Sequence, residues 1–271
     1  MTEAPLAAML SRALGTEVTD VTREPLADTS ERVRFRSAGE ERSLVFERHT
    51  EADALEIQLL PFLARKSAHA PVVHARGIPP RTVDAPQWLL LEDLTAAPSA
   101  CDGHPAGILE AKMAIEAATA RDAPALRALG VPECSPERIA DLVAAAVADR
   151  SEGAAVAAEA REAARRLQKW PMALVHGRLG CGTAVVADRG VVLRDWGAAH
   201  LGCALLDVVR LIADVVERGE AVLGIGLSRT YAERLGLILP TEVLRGAEKL
   251  GSLSRRYLER SQNAATGGTI R

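Results

Sequence analysis

The sequence predicts an α+β fold in two lobes, a small β-rich N-lobe followed by a larger, mainly helical C-lobe. Three observations predict it. Residues 32–36 alternate apolar and charged side chains with the period of a strand. Residues 136–168 are rich in Ala, Glu and Arg, which favour helix. Within the second half, "TAVVADRGVVLRDW" (183–196) sets two apolar runs around a tight Asp188–Arg189–Gly190 turn, a hairpin among helices.

The elements follow in order. "RVRFR" (32–36) puts Val33 and Phe35 on one face and arginines on the other; "SAGEER", a turn containing Gly39, leads into "SLVFER" (43–48), completing an antiparallel hairpin. Thr50 reads as a helix N-cap with Asp53 in a capping-box-like position. Leu55, Leu59, Phe62 and Leu63 then form an apolar helical stripe, which Pro61 is expected to bend or shorten. "PVVHARGIPP" (71–80) and "QWLLLEDL" (87–94) are extended, so this part reads as a small sheet with one helix against it. Residues 107–120 and 136–168 are helical, and "MALVHG" (172–177) is a short strand. A helix over 205–216 lines up Leu205, Val208, Val209, Ile212 and Val216. Pro240 and Thr241 announce a last helix, and "SQNAATGGTIR" (261–271) is expected to fray. The lobes divide as 1–97 and 98–271, with the hinge near 89–95. No internal repeat is present.

Composition narrows the function. Hydrophobic residues make up 48% and charged residues 25%, the balance of a soluble globular chain. A net charge of −3 leaves no basic footprint for nucleic acid or an anionic membrane. No apolar run approaches the ~20 residues of a membrane span, and no signal-peptide pattern opens the sequence, so a cytoplasmic protein is expected. Cys101, Cys134, Cys181 and Cys203 are scattered without a C-x-x-C, which favours plain buried thiols over a disulfide framework or zinc site. His49, His69, His74, His104 and His200 show no ligand spacing and read as surface or loop residues.

The stretch from Leu174 to Leu211, "LVHGRLGCGTAVVADRGVVLRDWGAAHLGCALLDVVRL", resembles the aminoglycoside phosphotransferase and choline kinase family. That family's pattern is H-G-D, four residues, N, a hairpin, D-W or D-F, then G-D and D-L. A weaker match runs upstream through "SLVFERH", the helix of Glu56 and "LLLEDL", so the resemblance covers nearly the whole chain. It implies a bilobal protein-kinase-like fold with its catalytic loop within 174–197. In such kinases a strand lysine, held by a helix glutamate, grips the α/β-phosphates. An aspartate accepts the substrate's proton, and an asparagine and a second aspartate carry magnesium.

This chain departs from the pattern at most of those places. Glu47 stands where the lysine is expected, and its neighbour Arg48 belongs to the opposite face of the strand. Glu56 matches the helix glutamate, so two acids face one another unless Arg34, Arg36 or another base intervenes. Arg178 replaces the catalytic aspartate, and a guanidinium cannot serve as a general base. Thr183 replaces the asparagine, Cys203 the aspartate of the G-D pair, and "ADTSERVRFRS" (27–37) holds no glycine-rich loop. Asp195 is the one magnesium aspartate left, as a vestigial metal ligand or, in the favoured reading, an ion-pair partner of Arg178. His176 and Asp207 are expected to structure the loop.

The resemblance and these departures together point to a pseudokinase. No residue is expected to act catalytically and no cofactor is expected; the chain would bind, scaffold or regulate a partner protein or peptide. Kinase-like relatives in pathways that phosphorylate and dehydrate peptide natural products supply one setting. The alternative is a divergent ATP-dependent phosphotransferase of small molecules or peptides, using ATP and magnesium through relocated groups. A third reading places a small anion, such as a peptide carboxylate, at Arg178. Cys181 is a passive or a reactive thiol. "AAVAAEAREAARRLQK" (154–169) is a helix whose polar face is solvated or meets a partner.

Overall fold

An antiparallel sheet with a helix on each face forms the N-lobe, and apolar alternation decides which side chain goes to which helix. The structure, a computed structural model, describes residues 3–49, 54–77, 87–219, 221–236 and 238–259. The N-lobe comprises α1 (Glu3–Leu14), β1 (Val18–Ala27), β2 (Ser30–Ser37), β3 (Glu40–His49), α2 (Ala54–Ala64), β4 (Val73–Gly77) and β5 (Gln87–Glu92). The strands order as β1-β2-β3-β5-β4. Ala38 and Gly39, at φ 52° and 84°, make the tight turn between β2 and β3. Val33, Phe35, Leu44, Phe46 and Leu90 pack on Leu6 and Leu10 of α1. Leu89 and Leu91 join Ile57, Leu60 and Leu63 of α2 in the main core.

Two helices therefore cover the sheet where one was expected, and β1 is an additional edge strand, the position where its Pro25 is tolerated. Pro61 does not cut α2 short. The Ile57 carbonyl, which loses its helical donor at Pro61, accepts from the Arg76 guanidinium at 3.4 Å, and the helix runs on to Ala64. Thr50, Asp53, the end of "PVVHARGIPP" and the 261–271 tail lie outside the described residues.

The C-lobe contains α3 (Pro105–Thr119), α4 (Ala123–Ala128), β6 (Glu133–Cys134), α5 (Pro136–Ala146) and α6 (Gly153–Leu167). It continues through β7 (Met172–Val175), β8 (Ala184–Ala187), β9 (Gly190–Leu193), β10 (His200–Cys203), α7 (Leu205–Glu217), α8 (Ala221–Arg234) and α9 (Thr241–Ser254). The helical run 136–168 is broken at 147–152, where a Cβ on Gly153 would lie 2.2 Å from the Val147 carbonyl oxygen. Ser135 caps α5 by accepting from Arg138 N–H at 3.2 Å, with Pro136 in its first turn. Helix α6 buries Val156, Ala160, Ala163, Ala164 and Leu167 and leaves Arg161, Arg165 and Arg166 exposed. Helix α7 is rotated from the expected face: Leu211 and Val215 are buried with Leu205, Val208 and Val209, while Val216 is 43% exposed. Packing against both α8 and α9 sets that rotation, which a single-face stripe does not encode.

The expectation of four plain thiols fails. Cys101 and Cys181, 80 positions apart, form a disulfide with Cα atoms 5.3 Å apart; Cys134 and Cys203 are free. Tertiary pairing brings them together, because 98–100 runs beside β8 with Ala100 N–H on the Ala184 carbonyl at 3.0 Å. Among the described residues no helix is long and apolar enough to cross a membrane.

Candidate functional site

The loop 176–183 leaves β7 over a buried carboxylate. Asp207, in the first turn of α7, accepts from the His176 backbone N–H at 2.7 Å and the Gly177 N–H at 3.0 Å. The His176 ring is neutral and fixed in one tautomer: Nε2–H donates to the Arg194 carbonyl at 2.7 Å and Nδ1 accepts from Arg178 N–H at 3.2 Å. Burial lowers its pKa, and the ring packs on Trp196 with centroids 4.6 Å apart. Gly177, at φ 82°, has no room for a side chain, since a Cβ would sit 2.3 Å from the Ala198 carbonyl oxygen.

Beneath Asp207 lies a buried polar group that sequence reasoning missed. Lys112 Nζ is 3.9 Å from Asp207 and ion-paired with Glu116, which accepts from the Tyr231 hydroxyl at 3.0 Å. Burial pushes Lys112 down to about 8 and the neighbouring Cys203 thiol up to about 11. The only signal in the sequence was a Lys–Glu pair four residues apart on an otherwise apolar helix face.

The loop tip is satisfied internally. Thr183 Oγ1 accepts from Gly180 N–H at 3.2 Å and lies 3.1 Å from the Gly180 carbonyl and 3.2 Å from that of Arg178. Asp214 of α7 accepts from Cys181 N–H at 3.2 Å and is itself paired with Arg255 at 3.4 Å. A Cβ on Gly180 would lie 2.0 Å from that Asp214 carboxylate. The expected Arg178–Asp195 ion pair does not form. Arg178 is bound inward through its backbone, and its exposed side chain has no hydrogen bond or ion pair among the described residues. Asp195 is exposed too, held in the left-handed region at φ 61°.

Between the lobes lies a cleft of about 190 Å3, lined by Glu47, Glu56, Arg194 and Asp195 and by apolar Val45, Leu91 and Leu94. Glu56 Oε1 accepts from Trp196 N–H at 2.9 Å. Its pKa is raised to about 7, first by burial, then by the facing Glu47 carboxylate and by Asp195. His49, expected at the surface, is a buried residue of β3 with Nε2 3.5 Å from Glu47, on the same strand face two positions on. Arg34 goes instead to Glu24 and Glu41 at the outside of the sheet, Arg36 is exposed on that side, and Arg48 goes to Glu31 at 2.7 Å. The unforeseen base in the cleft is Arg194. Its Nη2 is 3.5 Å from the Gly182 carbonyl, and its buried Nε has no hydrogen-bond partner among the described residues. Its signal was an arginine interrupting the apolar run of β9 directly before Asp195. No group of three or more His, Cys, Asp or Glu is placed to hold a metal ion among the described residues.

A five-stranded N-lobe, an interlobe cleft, and a loop and hairpin set on a helical C-lobe define a kinase-like fold. Solved structures narrow it. An aminoglycoside phosphotransferase of the APH(2'') type, in a complex with GDP and kanamycin, is 16% identical with a TM-score of 0.65, over 98% of this chain and 94% of that one. The APH(3'')-Id enzyme from Streptomyces rimosus, with ADP and streptomycin, is 16% identical with a TM-score of 0.59, over 94% and 99%. An aminoglycoside-3'-phosphotransferase of type VIII is 18% identical with a TM-score of 0.57, over 93% and 98%. No protein-family model and no curated protein sequence matches the chain. The chain has the fold of the aminoglycoside phosphotransferases.

Proposed function

We propose that this chain is a kinase-fold binding protein, a pseudokinase that engages a partner protein or peptide in the cytoplasm without transferring phosphate by the chemistry usual for its fold. The observation that carries the reading is the facing pair Glu47–Glu56 on the cleft wall, where burial first and the Glu47 carboxylate second raise the Glu56 pKa to about 7. A nucleoside triphosphate with magnesium does not fit these residues. Val45, Leu91 and Leu94 would accept a flat base, but carboxylates of Glu47, Glu56 and Asp195 line the same small cleft. Arg178 offers no base, and the Thr183 hydroxyl is committed to the loop. A peptide-modification pathway is the setting this reading favours.

The solved structures that share this fold include phosphotransferases with bound GDP or ADP, and with two features of the cleft they favour the second reading, a divergent ATP-dependent phosphotransferase. Arg194 brings into the cleft a guanidinium whose Nε has no partner among the described residues, a cation relocated from the strand to the residue before Asp195. The left-handed backbone at Asp195 is the kind of strain that functional sites retain.

Calorimetric titration with ATP and GTP, with and without magnesium or manganese, separates the two. The first reading expects no heat from the wild type and recovered binding in a Glu47→Lys/Arg178→Asp double variant. Metal-dependent binding to the wild type that is lost in Arg194→Ala supports the second and sinks the first.

A further inference from the structure

The loop that carries Arg178 has one covalent restraint and several long hydrogen bonds. Segment 98–101 lies against it: Val186 N–H donates to the Pro98 carbonyl at 2.9 Å and Ser99 Oγ to the Cys181 carbonyl at 3.2 Å. The Cys101–Cys181 disulfide closes that junction, joining the segment that leaves the interlobe linker to the middle of the loop. The holds through Asp214 and the Thr183 hydroxyl are 3.1–3.2 Å long, the weak end of the hydrogen-bond range, and one short backbone bond, from Arg194 N–H to the Thr183 carbonyl at 2.8 Å, anchors the end of the loop. Arg178 and Gly182 are exposed, and the Gly182 carbonyl faces Arg194 of the cleft. Movement of the tip therefore changes the cleft floor.

We propose that Cys101 and Cys181 form a reversible thiol–disulfide site that latches the 178–183 loop, and that a small-molecule dithiol releases it. In a reducing cytoplasm, disulfides that do form are mostly transient or redox-sensing. One thiolate of the dithiol attacks a cysteine sulfur, breaking the S–S bond and expelling the other cysteine as thiolate. The dithiol's second thiolate then displaces the first cysteine. Two electrons pass to the protein, both cysteines end as protonated thiols, and the dithiol leaves as a cyclic disulfide. A small-molecule disulfide reverses the sequence. Cys101 and Cys181 are 4% and 6% exposed, so attack waits on local opening of the loop. Cys134 and Cys203 are poor competitors, because burial raises both thiol pKa values.

The test uses the full chain purified without reductant. Thiol titration in denaturant should find two thiols before dithiothreitol and four after it. Tryptic cleavage after Arg178, followed by mass spectrometry, should accelerate about tenfold or more on reduction, while cleavage after exposed Arg150 stays within about twofold. Cys101→Ser/Cys181→Ser should cleave fast with or without dithiothreitol, and Cys134→Ser/Cys203→Ser should keep the reductant-sensitive slow rate. Four thiols before reduction overturn the proposal. So does an unchanged Arg178 rate as two thiols become four, or equal acceleration at both sites. If the first double variant does not fold, the wild-type comparison alone still decides.

Discussion

The base of the loop and the wall of the cleft both deal in buried charge, and they resolve it in opposite ways. At the base, Asp207 accepts two backbone N–H groups, and Lys112, Glu116 and Tyr231 complete a set in which every member has a partner. At the wall, Glu47 and Glu56 face each other and are relieved by the Trp196 N–H, the His49 ring and proton uptake. What the backbone needs in order to fold is complete. In the cleft, the carboxylates of Glu47, Glu56 and Asp195 stand beside the guanidinium of Arg194. Selection for a fold and selection for a reaction act on different charges, even when these lie in neighbouring layers of one molecule.

Breaking the base should have the largest effect. Lys112→Met leaves Glu116 and Asp207 buried without their cation and should cost about 3–5 kcal/mol, read from urea midpoints. The same variant tests a pH effect. Folded Lys112 releases its proton near 8 and an unfolded lysine near 10.5, so the unfolded state binds more protons between them and wild-type stability should rise with pH across that window. Lys112→Met should remove the rise.

Next in size is Gly180→Ala at the loop tip. Its Cβ would displace the Asp214 carboxylate from Cys181 N–H, for a loss of about 1–3 kcal/mol on thermal unfolding. The wall should respond in the opposite direction. Folded Glu56 keeps its proton to about 7 and the unfolded residue only to 4.5, so stability should fall as pH rises through that interval. Glu47→Gln should flatten the slope and stabilise the protein by on the order of 1 kcal/mol at pH 8; an unchanged slope would show that the two carboxylates do not interact. The smallest effect belongs to Arg178→Ala. With an exposed side chain that makes no bond among the described residues, it should change stability by less than about 0.5 kcal/mol, and a larger loss would reveal a pairing in solution.

Parts of this comparison were legible from the sequence because they are local. The β2–β3 hairpin follows from two-residue alternation around Gly39, and α9 from Pro240 and Thr241. Arg178 and Thr183 could be read against a family pattern because the loop's spacing is unbroken, and Glu47 through the weaker match of "SLVFERH" upstream. What escaped depends on neighbours. Helix α1 and strand β1 are defined by packing on the sheet, the rotation of α7 by the two helices that flank it, and Arg194 by the cleft into which β9 delivers it.

The sequence by itself determined the two-lobed α+β class, the order of the elements from the β2–β3 hairpin onward in outline, and which charges stand at the loop and strand, since these reside in periodicity and residue type. Tertiary structure decided which of those charges meet. It set Glu47 against Glu56, kept Arg178 away from Asp195, placed Lys112 beneath Asp207 and joined Cys101 to Cys181. Coulomb energy and covalent reach fall off with distance in space, and separations of tens of residues along a chain carry no information about that distance until the core has formed.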